Sequence, residues 1–163
     1  MTENQTETRP AMSAGQAIGG ALGQAQSVLA GLLADKVAQA GTDRETYLAL
    51  QRLGVLGDAS AKDQYVNDLV DWLDLDPRAA TELADGLVAS GLVTVGQQTV
   101  KIADDGAQLR EKIAGSISAV TAPIYESLSS SDVETTVRTL RYLTTRVRAT
   151  NPAAPAKGTG GRS

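Results

Sequence analysis

The side chains best suited to chemistry in this chain are carboxylates. Asp71, Asp74 and Asp76 fall close together and Asp104 is adjacent to Asp105. Such groupings suit paired acid–base carboxylates or oxygen ligands for a hard cation. Neither group has the spacing of a calcium loop, and solvated helix ends explain both more simply. Ser60, in Gly57-Asp58-Ala59-Ser60, is the candidate hydroxyl nucleophile, but these residues do not form a nucleophile elbow. The chain has no His and no Cys. It therefore lacks the commonest base for activating a serine, the commonest transition-metal ligand, and all thiol chemistry. The glycines between Gly15 and Gly23 are not followed by the Lys-Ser/Thr of a phosphate loop. These residues imply no enzyme, no metal and no cofactor.

Two other groups suit binding. Tyr47, Tyr65 and Trp72 could line a cavity for a small, aromatic ligand, although aromatics at helical spacing serve equally as core. Among residues 60–102 there are three bases, Lys62, Arg78 and Lys101. They stand against seven acids: Asp63, Asp68, Asp71, Asp74, Asp76, Glu82 and Asp85. The resulting formal charge of −4 equals that of the whole chain, which has 15 Lys and Arg and 19 Asp and Glu. Further bases gather near the C-terminus, at Arg138, Arg141, Arg146 and Arg148. There they can complement the end of a helix or flank a polyanion. No cluster of bases interleaved with aromatics suggests a single-stranded or RNA partner.

The elements that would position these residues are mainly helical, since the chain is 42% apolar but 3% aromatic with no Phe. Residues 15–40 carry Ile18, Leu22, Ala25, Leu29 and Val37 at helical spacing, with Gly19 and Gly23 four apart. Each interior glycine costs about 1 kcal/mol against Ala, so this helix needs packing to persist. Thr42 and Glu45 have the spacing of a capping box and open a second helix that Gly54 and Gly57 end. A third helix starts near Ser60 and stops at Leu75-Asp76-Pro77, where Asp caps and Pro begins a fourth helix, ended by Gly91. Residues 92–95 and 99–102 read as two strands joined by the turn Gly96-Gln97-Gln98. Asp104 and Asp105 open a long helix that Pro123 should kink or divide, and Ser131 with Glu134 caps a last one.

The expected fold is mainly α: a winged helix-turn-helix with a two-stranded wing and long N- and C-terminal dimerisation helices. The expected division is a disordered leader (1–13), an N-terminal dimerisation helix (14–41), the winged helix-turn-helix (42–103), C-terminal dimerisation helices (104–149) and a disordered tail (150–163). Residues 11–34 carry no charge and invite comparison with a membrane span or signal peptide. Their glutamines and glycines, and the acidic residues before them, favour a soluble, cytoplasmic protein.

This order of elements resembles the MarR family of bacterial transcriptional regulators. The resemblance rests on residues 42–53, on residues 76–93 beginning Asp76-Pro77-Arg78, and on Ile102-Ala103-Asp104-Asp105-Gly106, where the family commonly has a Gly at the position of Gly106. It implies a homodimer that binds double-stranded DNA, with the second helix of the motif in the major groove and the wing at the minor groove. It places Arg78, Thr81 and Glu82 on that helix, Lys62 and Gln64 on the preceding one, and Gln97, Gln98 and Lys101 on the wing. It also implies a small, often aromatic effector between the dimer helices and the reader. Family wings are longer and carry Asp and Arg, whereas this tip has neither. The acidic reader admits an alternative, a winged-helix interaction or scaffold protein that has lost DNA recognition and binds a protein partner.

Overall fold

The computed structural model describes residues 13–150. The expected leader and tail lie outside the described residues, except for Ser13 and Thr150 at their edges.

Helix α1 (Ala14–Gln39) starts at Ser13, whose hydroxyl accepts from the Gln16 backbone while the Gln16 side chain accepts from Ser13 N. Its last turns dock through Val37, which is buried with Tyr47 and Ile113. Helix α2 (Arg44–Val55) is capped by Asp43, one residue later than the Thr42 box anticipates. The Asp43 carboxylate accepts from Thr46 N at 2.7 Å and Thr46 Oγ1 at 2.9 Å. Thr42 is instead drawn into the end of α1, its N–H donating to Val37 O. Gly54 lies inside α2, and the left-handed residues beyond the helix are Gly57 and Asp58.

Strand β1 (Ala59–Ala61) occupies what reads in the sequence as the start of a helix, and α3 (Lys62–Leu73) follows it. The residues of β1 pair antiparallel with β3 (Thr99–Ile102), so Ser60 opposes Val100. On its other side β3 pairs with β2 (Val93–Val95), with Val93 opposite Ile102. The wing hairpin therefore carries a third strand and forms a sheet of order β1-β3-β2. Helix α4 (Pro77–Ala89) starts as expected, with Asp76 Oδ1 accepting from Arg78 N at 3.0 Å and Ala79 N at 2.9 Å. Gly91, at φ +75°, turns the chain into β2.

The main core joins α2, α3, α4 and the sheet through Leu50, Leu53, Tyr65, Leu69, Leu87 and Val100. Helix α5 (Asp104–Glu126) packs on it at Gly106, where an added Cβ would collide with the carbonyl of Leu92. Pro123 does not divide α5 but lies in its last turn, so the backbone bond it cannot donate falls where only three helical residues follow. Helix α6 (Ser130–Thr150) begins behind Ser129, which accepts from Asp132 N at 3.2 Å, so the cap precedes the expected Ser131.

No residue of α6 is buried. Val133, Val137 and Leu140 on α6, Val120 and Ile124 on α5, and Ile18, Leu22 and Leu29 on α1 all remain exposed. Helix α1 is also long and apolar enough to cross a membrane by length and composition, with a mean hydropathy of 1.3 over its most apolar window.

Candidate nucleic-acid interface

The first turns of α4 are held outward by the residues behind them. Ala80, Ala84 and Leu87 are buried against the core, which leaves Arg78, Thr81, Glu82 and Asp85 on the solvent face. The Asp76 cap and Pro77 define where that face begins, so its first exposed cation is Arg78, at the second helical position. Beside it, α3 presents Gln64 in the open and Lys62 half-buried. Lys62 N donates to Gln98 O at 3.0 Å, which binds the start of α3 to the wing turn. Gln97, Gln98 and Lys101 are exposed on the wing, whose turn closes through Gly96 N donating to Thr99 O at 2.7 Å.

Two ion pairs cross this surface. Arg78 Nε donates to Glu82 Oε1 at 2.7 Å, one helical turn away, and both side chains stay largely in solvent. That hydrogen bond, together with the Glu82 charge, holds the Arg78 guanidinium above its usual pKa. Lys62 Nζ reaches Asp85 Oδ1 at 3.4 Å and links α3 to α4. Lys101 has no ion-pair partner among the described residues. Thr81 turns its hydroxyl back to Pro77 O at 2.8 Å, so its proton serves the helix.

Three acids of residues 60–102 have separate local uses. Asp68 pairs with Arg52 of α2 at 2.9 Å, both about three-quarters buried, and so faces the core side. Asp76 is a cap, and Asp74 is the left-handed residue that ends α3. The formal −4 therefore overstates the charge presented outward, because Asp68 is neutralised by an arginine outside the motif. At the far end of the chain, Arg148 Nη2 donates to the carbonyl of Asp71 at 3.4 Å, bringing the end of α6 to the last turn of α3.

The structure does not gather Tyr47, Tyr65 and Trp72 around one cavity. Tyr65 is fully buried in the main core and donates through its hydroxyl to Ala49 O at 2.9 Å. Tyr47 is buried in the second cluster beneath α1, where its hydroxyl meets Gln51. Trp72 is 46% exposed. A separate open groove of about 700 Å³ runs between the α1–α2 turn and α4. Asp43, Thr46 and Glu82 stand in its lining, with Leu83, Leu87 and Leu109 as its apolar part. Sequence periodicity could not reveal this groove, because its lining comes from three separated stretches, 41–46, 82–92 and 109.

No family model and no curated protein matches the sequence. Solved structures do. A MarR-family transcriptional regulator from Rhodococcus sp. RHA1 aligns over 82% of this chain and 96% of its own, with a TM-score of 0.62 and 18% identity. CouR from Rhodococcus jostii RHA1, bound to p-coumaroyl-CoA, aligns over 82% and 95%, with a TM-score of 0.65 and 17% identity. A MarR-family transcriptional regulator from Streptomyces coelicolor aligns over 83% and 94%, with a TM-score of 0.57 and 22% identity. At these identities the likeness establishes the fold, a winged helix of the MarR type.

Proposed function

We propose that the protein is a dimeric, MarR-like DNA-binding transcriptional regulator of the cytoplasm and not an enzyme. The observation that carries this reading is the start of α4, capped by Asp76 and presenting Arg78, Thr81 and Glu82 to solvent, on a helix that Lys62 at the start of α3 joins through Asp85. A helix held in this way has the placement that major-groove reading requires, with Lys62, Gln64, Gln97, Gln98 and Lys101 set to meet the flanking backbone. This surface, rather than the fold, points to the function, because one fold hosts many functions.

Dimerisation is supported by the uncovered apolar stripes of α1, α5 and α6, which a second copy would bury around a two-fold axis. In this reading residues 14–41 and 104–149 form the dimer and residues 42–103 the reader. A second copy, rather than lipid, covers α1. An effector has a seat in the groove between the α1–α2 turn and α4, from which it would bear directly on the reading helix. CouR, which shares the fold, holds p-coumaroyl-CoA.

One observation favours a second reading, a winged-helix interaction or scaffold protein without DNA recognition. Two of the three reader cations, Lys62 and Arg78, are already paired with acids on α4, and phosphate neutralisation supplies most non-specific affinity. The test is titration of the purified protein, with its mass in solution measured alongside, against duplexes from its genomic neighbourhood at low and near-physiological salt. Selective binding that survives a random competitor and weakens with salt supports the regulator. A folded dimer that binds no duplex at either salt supports the interaction protein.

A further inference from the structure

Glutamate is an unusual residue to place on a helix that must approach a polyanion, and its partner here is specific. The Arg78 guanidinium gives its Nε–H to Glu82 Oε1 at 2.7 Å. Both terminal nitrogens, with four N–H groups, remain outward on a side chain that is 87% exposed. Glu82 is 64% exposed, and its second oxygen has no hydrogen-bond partner among the described residues. The pair therefore presents a double donor at one end and an acceptor at the other. It is fixed by a one-turn spacing on the part of a reading helix that contacts base edges.

We infer that Arg78 and Glu82 act together as a specificity unit for C+G elements, Arg78 reading a guanine and Glu82 a cytosine in the same or the next base pair. This rests on the DNA-binding reading above. In the major groove guanine offers two acceptors, O6 and N7, that match the guanidinium fork. Cytosine offers the N4 amino donor with no neighbouring acceptor, whereas the adenine amino group sits beside N7, which repels a carboxylate. Residues 78 and 82 are about 6 Å apart along the helix axis, under two base steps of about 3.4 Å, and their side-chain tips converge to 2.7 Å, which fits neighbouring bases. The ion pair keeps the carboxylate directed at the arginine and away from phosphates. Glu82 also lowers affinity for every duplex lacking the element, so the unit trades general affinity for discrimination.

The experiment is selection of binding sites from a random duplex library at low salt with the full chain, its Glu82→Gln variant and its Arg78→Lys variant. Affinities for the selected duplex are then measured with single 7-deazaguanine replacements, which remove N7. The expected result is a selected half-site holding an invariant guanine with a cytosine within one step. Replacing that guanine should cost the wild type roughly tenfold and Arg78→Lys much less. Glu82→Gln should bind random duplex more tightly and accept adenine where the wild type requires cytosine. Selected sites without such an element, or an unchanged preference in both variants, would overturn this inference and leave DNA binding standing. No selection by any of the three proteins would overturn the DNA-binding reading and this inference with it.

Discussion

Arg110 Nη1 donates to Asp58 Oδ1 across 52 residues of sequence, tying the long helix α5 to the residue just ahead of the sheet. Asp58 also accepts from Ile102 N through its backbone carbonyl at 2.9 Å, and it holds a left-handed φ of +65°. Gly54 lets the guanidinium reach this position, since a Cβ there would strike Arg110. Helix α5 and the wing thus share one residue.

Asp58→Ala should lower stability by about 1–2 kcal/mol, combining the left-handed backbone penalty with loss of a partly exposed ion pair. Asp58→Gly should recover the backbone part and leave only the small ionic loss. Urea midpoints of the two variants separate the contributions; equal losses would show that the backbone conformation contributes nothing.

Gly106→Ala should destabilise by about 2 kcal/mol, because the new methyl group meets the backbone of Leu92 and the side chain of Ile102, and the backbone cannot yield cheaply. Gly86→Ala, in the middle of α4 with nothing within 4 Å of an added Cβ, should stabilise by about 0.5–1 kcal/mol. Thermal melting of both variants tests the opposite signs.

Burial raises the Tyr65 phenol well above its ordinary value. The unfolded chain releases this proton near pH 10 while the folded chain retains it, so stability is intact below pH 10 and falls as pH rises beyond it. Tyr65→Phe should flatten that alkaline decline. At neutral pH it should cost about 1 kcal/mol for the lost bond to Ala49 O. Denaturation at pH 8 and pH 11 checks both effects; an equally steep alkaline decline in the variant would assign the titration elsewhere.

Lys101→Ala should reduce the slope of log affinity against log salt by about 1, as expected for one phosphate contact. Lys62→Ala should change it less, since Asp85 already neutralises Lys62. Equal slope changes would mean that the Lys62–Asp85 pair opens on DNA.

Much of the fold is legible locally. Asp76-Pro77 marks the start of α4 because a cap and a preset φ act within one turn, and Gly91 marks its end. The Arg78–Glu82 pair follows from i,i+4 spacing alone. Local signals mislead where two elements compete for one residue. Thr42 has the chemistry of a cap but closes α1, which leaves Asp43 to open α2. Ser60 has the look of a helix start, but its backbone opposes Val100 across a strand pair some forty residues distant.

The amino-acid order alone determined which segments are helices, where α4 starts and stops, and that three helices carry apolar stripes larger than one small core needs. Those properties arise from contacts within a turn or two, so spacing reveals them. Only the tertiary structure decided which face each element presents. It set Asp68 against Arg52, Lys62 against Asp85 and Asp58 against Arg110, it dispersed Tyr47, Tyr65 and Trp72, and it left a groove beside α4. The physical reason is that a charge pair or a cavity depends on the distance between segments. That distance is set by core packing as a whole and has no period along the chain.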